Sequence, residues 1–389
     1  MADKKTHSYE NYNRSQKNRN NGFDRFLSFV KKFIKAKKIF GFPKKSENYI
    51  LDYTGSQKII KLLFSNKLIP IIESNHKEIY LGIIILIPYY IIKKRNLNNI
   101  YLYSLIKFTK AKFVFSFIDT SYNLTKVFKE LSDTKIIFFL NGRYTLKNRF
   151  LDAQKTKEKY SLDYYFVSSN SAKIFFENYI EGNIIVSGSL VNNSFIKPKI
   201  TNIKKVQWIS QFREYGKWNK ILLEDDKFII KILEQFCLKK NINFEILLVT
   251  KSPLEKIYFN NFSSNLKFVE SNAFSYDNVS SDAIIAGSDS NFTYECFGRG
   301  FKTAFFTIRS KILNDDCRKF NWPLCNDDSG DFWCNNHDES KILDIMNFLY
   351  EISSKKWEKI VNQNNKDIML YDYGNSIILK TLKKSGFNL

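Results

Sequence analysis

The chain has 389 residues, 44% of them apolar and 16% aromatic, and 61 Lys and Arg against 39 Asp and Glu give it a formal charge of +22. That length exceeds one small core and supplies enough apolar material for two domains of ordinary size. The surplus charge is what a nucleic-acid backbone attracts, but no helix-turn-helix, zinc-finger or RNP-type motif accompanies it, and the crowding of Lys, Asn, Ile, Phe and Tyr is what an AT-rich genome imposes, so no nucleic-acid partner is expected.

Residues 1–45 differ from the rest. The first twenty are rich in Asn, Lys and Arg and are expected to be disordered. From Phe23 to Phe40 the residues Phe26, Leu27, Val30, Phe33 and Ile34 fall on one helical stripe ringed by lysines. Such a helix either lies in an anionic membrane surface through residues 23–40 or packs its stripe on the first domain. Ile79 to Ile92 is the most apolar run. It is shorter than the roughly 20 residues a bilayer needs and is interrupted by Pro88, so a buried segment is expected there and no transmembrane helix.

Apolar runs then alternate with helical or turn-like segments: 99–105, 113–118, 135–140, 164–167 and 183–186. After a polar break at 197–205 a second series follows at 206–209, 244–249, 266–269, 283–286 and 303–308. Short β-branched runs alternating with helices mark parallel sheets covered on both faces. The expectation is an α/β chain of two Rossmann-like domains facing across a cleft, 46–200 and 201–389, behind the basic tail of 1–45.

The densest signal is Ala283 to Gly300, followed by Thr303 to Ile308. It reads as a buried strand, a turn from Gly287 to Asn291, a helix opening on Ser290 and ending at Gly300, and another buried strand. Strand ends and helix N-termini present free N–H groups to an anion, so a phosphate fits at Ser288 to Asn291. Glu295, more than one turn into the helix, is placed to accept bonds from a sugar hydroxyl. Alternatively, Ser290 is an N-cap worth about 1 kcal/mol and nothing else.

Ser210, Gln211 and Arg213 follow the strand at 206–209, where the planar fork of Arg213 either holds a phosphate or makes a surface ion pair. Asp119 follows the strand at 113–118. It is either a general base that takes the proton of an attacking hydroxyl or a helix cap. Asn141 and Arg143 offer polar groups to the same gap, and Gly188 suits a tight turn at the domain junction.

Three histidines, His7, His76 and His337, leave little room for a Ser-His-Asp or Cys-His catalyst. The five cysteines, with no secretory signal, argue for free thiols in a reducing compartment. Cys317, Cys325, Cys334 and His337 lack the close C-x-x-C pairs of structural zinc sites, and no metal site is expected.

The runs Phe117 to Asn123, Phe139 to Arg143, Asp163 to Val167, Val186 to Asn193, Trp208 to Arg213, Ser288 to Gly300, Phe320 to Pro323 and Gly330 to Trp333 resemble the bacterial surface carbohydrate biosynthesis proteins. These are GT-B glycosyltransferases of lipopolysaccharide and capsule loci, more distantly similar to capsule Kdo transferases and CDP-glycerol glycerophosphotransferases. The resemblance spans about residues 80–350, and the Ser-x-Ser-x-x-x-x-Glu block is its most specific part.

It implies a nucleotide-sugar donor in the C-terminal domain, with Ser290 at its phosphate and Glu295 at its ribose, and with Asn291 where the pattern usually has Thr. It implies a glycan or lipid-linked glycan acceptor and metal-independent transfer without a cofactor. It also implies a cytoplasmic protein, peripheral on the inner membrane. A glycerophosphate or polyol-phosphate transferase, or a non-catalytic glycan-binding scaffold, would share the donor site.

Overall fold

The computed structural model describes residues 33–51, 56–64, 69–72, 78–93, 100–117, 127–140, 142, 158–212, 217–250, 252–263, 266–270 and 275–387. The first half runs β1 (Lys37–Ile39), β2 (Asn48–Leu51), α1 (Ser56–Leu63), β3 (Ile71–Ile72), β4 (Glu78–Tyr80), α2 (Leu81–Lys93), α3 (Ile100–Thr109), β5 (Phe113–Ser116), β6 (Lys135–Phe139), β7 (Tyr160–Val167), α4 (Asn170–Glu177) and β8 (Ile180–Val186). The second half runs β9 (Lys205–Ile209), α5 (Lys217–Lys240), β10 (Asn243–Leu247), α6 (Pro253–Asn260), β11 (Lys267–Val269), β12 (Ala283–Gly287), α7 (Asn291–Arg299), β13 (Thr303–Phe306), α8 (Arg309–Ile312), β14 (Trp333–Cys334), α9 (Glu339–Glu351), α10 (Ser354–Ile368) and α11 (Ser376–Lys384).

Two six-stranded parallel sheets result, ordered β3-β2-β5-β6-β7-β8 and β11-β10-β9-β12-β13-β14. Their central strands are buried along their whole length in β5, β12 and β13. Strands covered on both faces lose the alternation of an exposed sheet and read as continuous apolar runs, which is why the sequence marks them. Counted within its own half, the second sheet has strand order 3-2-1-4-5-6, the doubly wound arrangement. Its crevice opens between β9 and β12, where the winding reverses.

Three expectations change. The helix read over 23–40 does not reach Phe40: Lys37–Ile39 form strand β1, paired with β4, and residues 23–32 lie outside the described residues. The run 99–105 lies in α3, not in a strand. Tyr101, Leu102, Leu105 and Ile106 are all buried, and a helix covered on nearly every side shows no 3.6-residue period to distinguish it from a buried strand. The run 79–92 is not wholly buried: β4 gives way to α2, whose Gly82 and Ile83 face the core while Ile85, Pro88, Tyr89 and Ile92 face outward. Among the described residues no helix is long and apolar enough to cross a membrane.

Residues 201–389 do not all stay with the second sheet. Ile378 and Leu382 of α11, with Phe387 beyond it, pack against Phe113, Phe115, Ile137 and Phe139 of the first. The Phe387 ring meets Phe113 edge-on at 5.1 Å and Phe115 at 5.4 Å. The amphipathic sequence of α11 needs an apolar face to cover, and the chain returns to the first domain to provide it.

Candidate functional site

Four chain segments leave the carboxyl ends of the second sheet beside its switch point. β9 leads into Ser210 and Gln211, β10 into Val249 and Thr250, β12 into Ser288 and Asp289, and β13 into Thr307 and Arg309. Ser210 is turned inward. Its hydroxyl lies 2.5 Å from Oε1 of buried Glu255 and accepts from the Phe212 amide at 3.1 Å, while the same carboxylate accepts from the amides of Val249 and Thr250. Ser210 therefore fastens the exits of β9 and β10 to each other.

Gln211 accepts a hydrogen bond from the buried Arg309 guanidinium, whose other arm meets Asp226 Oδ1 at 2.5 Å. Asp226 in turn accepts from Tyr258 at 2.8 Å. Burial opposes the charge of Arg309, but Asp226 and Asp289 outweigh it, and its pKa moves up. Beside this chain His337 lies 2.6 Å from Asp225 Oδ1, and burial raises the Asp225 carboxyl.

At the exit of β12 the chain folds as its residues direct. α7 opens on Ser290 and ends on Gly300, which takes the left-handed conformation (φ +99°) that terminates helices. The Ser290 side chain makes no capping bond, so the first-turn amides are not occupied by it. Behind Gly287, the Ser288 Oγ and Thr293 Oγ1 are fully buried and have no hydrogen-bond partner. A buried hydroxyl left without a partner costs about 1–3 kcal/mol, so two together at a strand end ask for an explanation. Asp289 is ion-paired with Arg318, which also faces Asp315 at 3.6 Å.

Glu295 reaches the junction of the two domains. Asn291 donates to its Oε1 at 2.8 Å and Tyr276 to its Oε2 at 2.5 Å, and Ser189 adds a third bond. Its backbone carbonyl accepts from Asn192 at 3.0 Å. Ser189 and Asn192 belong to the segment that leaves β8, so the first domain's exit holds the second domain's helix.

Burial raises the Glu295 pKa, against the opposing bonds of Ser189 and Tyr276 and the charges of Arg299 and Lys58. The Tyr276 hydroxyl is pushed well above its ordinary value, first by burial and then by Glu295. Arg299, 3% exposed, places its guanidinium 5.0–5.5 Å from the Phe195, Tyr276 and Phe301 rings, with Nε and Nη2 unbonded.

The structure thus brings Gln211, Gly287, Ser288, Ser290, Asn291 and Glu295 to one edge of one sheet. Asp119, Asn141, Arg143 and Arg213 lie outside the described residues. Sequence reasoning missed Arg309, Asp226, Arg318, Tyr276 and Arg299. Arg309 carried a usable signal, since it follows the strand at 303–308 as directly as Arg213 follows its own, and so did Arg299, one turn past Glu295 on the same helix; Asp226, Arg318 and Tyr276 come from helices and loops whose approach no local pattern announces.

Among the described residues no three His, Cys, Asp or Glu side chains gather as a metal site, and all five cysteines are free thiols. A broad groove of about 970 Å³ runs along the outer strand β8, lined by Lys159, Lys173, Glu177 and Glu181, away from this edge.

Two Rossmann-like parallel domains, with polar strand-end turns at a shared junction, define a protein of GT-B architecture. The chain belongs to the family described as "putative O-antigen biosynthesis protein", which matches residues 136–386.

Among solved structures it is similar to the UDP-GlcNAc 2-epimerase of Neisseria meningitidis bound to UDP-GlcNAc, at 14% identity over 89% of this chain and 100% of that one, with a TM-score of 0.49. It is similar to a glycosyltransferase from Rickettsia africae ESF-5, at 11% identity over 91% and 100%, with a TM-score of 0.48. It is also similar to the wall teichoic acid polymerase TagF, at 10% identity over 88% and 90%, with a TM-score of 0.45. No curated protein sequence matches the chain.

Proposed function

We propose that this protein is a glycosyltransferase that moves a sugar from a nucleotide-activated donor to an O-antigen or related surface-glycan intermediate. The observation that carries the reading is the pair of buried, unbonded hydroxyls, Ser288 and Thr293, beside the uncapped first turn of α7 at the switch point of a doubly wound sheet. A donor phosphate there would take the first-turn amides and the helix dipole as its counter-charge, with Arg309 and Arg318 close behind.

Membership in a family of O-antigen biosynthesis proteins supports the same chemistry. In this reading Glu295 holds the ribose, Arg213 assists the leaving phosphate, and Asp119, beyond the end of β5, takes the acceptor's proton. No step calls for a divalent metal, and turnover is expected to survive EDTA.

The test is a panel of CMP-, UDP- and GDP-sugars read by thermal shift and by release of the nucleotide. One nucleotide should raise the unfolding midpoint selectively, since a ligand of the folded state stabilises by mass action. Ser288→Ala discriminates further. Its hydroxyl is unbonded in the chain alone, so removing it should leave stability unchanged or slightly higher, while a lost bond to a charged group, about 1.5–3 kcal/mol, weakens nucleotide binding about 10- to 100-fold. Unchanged nucleotide affinity in Ser288→Ala, or no response to any nucleotide, rejects the site.

A further inference from the structure

Arg299 is a buried cation that no step of the proposed transfer uses. It closes the last turn of α7, four residues past Glu295, so the two side chains lie on one face of the helix. It is 3% exposed, and its guanidinium lies 5.5 Å from the Phe195 ring, 5.2 Å from Tyr276 and 5.0 Å from Phe301. Ring faces return part of the hydration that burial takes away. They offer no strong acceptor, and Nε and Nη2 bond to nothing.

A cation in the last turn of a helix gains from the dipole while standing in water, so the dipole does not account for the burial. Apolar side chains of similar volume fill a buried place at lower cost than a cation with unmet donors. The charge therefore acts on a neighbour.

That neighbour is Glu295. The Tyr276 ring lies against the guanidinium, and its hydroxyl donates to Glu295 Oε2 at 2.5 Å. Phe195 stacks on the same ring at 4.5 Å, and the Tyr371 hydroxyl holds the Phe195 carbonyl at 2.6 Å. Arg299 is thus the centre of a cage that the segments leaving β8 and α10 both help to build, and the cage sets the phenol on the carboxylate. The ionisable groups around Glu295 are Tyr276, Arg299 and Cys296 beside it and Lys58 of α1. Burial favours the protonated carboxyl, the Ser189 and Tyr276 bonds oppose it, and the charges of Arg299 and Lys58 oppose it further.

We propose that Arg299 is a positioning residue for Glu295: from inside its ring cage it supplies the positive potential, and through Tyr276 the orientation, with which the carboxylate accepts hydrogen bonds from the sugar of a bound donor. This rests on the reading of Glu295 as the ribose holder, and it adds a residue that touches no ligand itself.

The experiment compares wild type, Arg299→Met, Arg299→Lys and Glu295→Gln as full chains, by urea unfolding across a pH series and by binding of UDP, CDP and GDP. Without the cation, buried Glu295 keeps its proton to a higher pH. The stabilisation from that proton is complete below the unfolded value of 4.5 and is lost as pH rises through the folded one. The loss should extend about one pH unit higher in Arg299→Met than in the wild type, and Arg299→Lys should bring it back. The acid-side fall of nucleotide binding should move up by the same amount, which lost packing alone would not produce. Arg299→Met/Glu295→Gln buries neither charge and should recover most of the stability that Arg299→Met loses at neutral pH, or fold where the single variant does not.

Unshifted pH profiles in Arg299→Met, or a double variant no more stable than the single one, would overturn the positioning role and leave the ribose reading standing. Nucleotide affinity unchanged in Glu295→Gln, or absent for all three nucleotides, would overturn the ribose reading and the role of Arg299 with it.

Discussion

Glu295 shows how one side chain serves two masters. The carboxylate proposed to hold a ribose is already bound by Tyr276, Asn291 and Ser189, and a sugar hydroxyl would have to replace one of them. Its raised pKa yields a stability test. The folded chain keeps this proton to a higher pH than the unfolded chain, whose ordinary value is 4.5. The resulting stabilisation is therefore complete below 4.5 and is lost as pH rises through the folded value.

Over that window one proton contributes a slope of at most about 1.4 kcal/mol per pH unit. Glu295→Gln has no proton to lose and keeps a similar shape. Urea unfolding across a pH series should show the wild type losing stability upward from 4.5 relative to the variant. Parallel pH profiles would mean that the carboxylate ionises as it does in water.

The helices and strands differ in how openly the sequence declares them. α11 is held by apolar contact with the first sheet, through Leu382 and Ile378, both fully buried. Leu382→Ala leaves a cavity against Phe113 and Phe115 and should cost about 2–5 kcal/mol, measured by urea or thermal unfolding. A loss below about 0.5 kcal/mol, the range of surface substitutions, would mean that α11 is not docked there.

The runs at 206–209, 244–249, 266–269, 283–286 and 303–308 were legible as strands because each is a compact apolar run between polar turns. The same logic failed at 99–105, where burial around the helix erased its period, and β1, β3 and β14 were too short to leave a pattern. Among the candidate residues, the placement of Ser288 and Glu295 at a strand end was readable because they follow their strand within one α/β unit. Tyr276, Asp226 and Arg318 were not, because folding alone brings them there.

Across the molecule the two domains are joined by two crossing segments, one leaving β8 and one leaving α10. The Leu370 amide donates to Ser168 at 2.9 Å, Asn193 donates to Asn375 at 3.0 Å, and Tyr371 donates to the Phe195 carbonyl at 2.6 Å. These polar contacts fix the geometry of the junction, and aromatic packing joins them there, with the Phe175 ring 5.6 Å from Trp322 and the Phe195 ring stacked on Tyr276 at 4.5 Å.

Gly188 is their tightest point. Its φ of +79° disfavours any other residue, and a Cβ there would run into the Leu370 carbonyl. Gly374 supplies the control, with φ +73° and open space around its Cβ position. Gly374→Ala should therefore cost only the backbone term, about 1–2 kcal/mol. Gly188→Ala carries the same term and must also push the two crossing segments apart. Urea unfolding should show Gly188→Ala losing clearly more stability than Gly374→Ala, and equal losses would show that the segments yield without cost. Because Ser189 and Asn192 of the displaced segment hold Glu295, the same substitution should also weaken nucleotide binding at the far side of the junction.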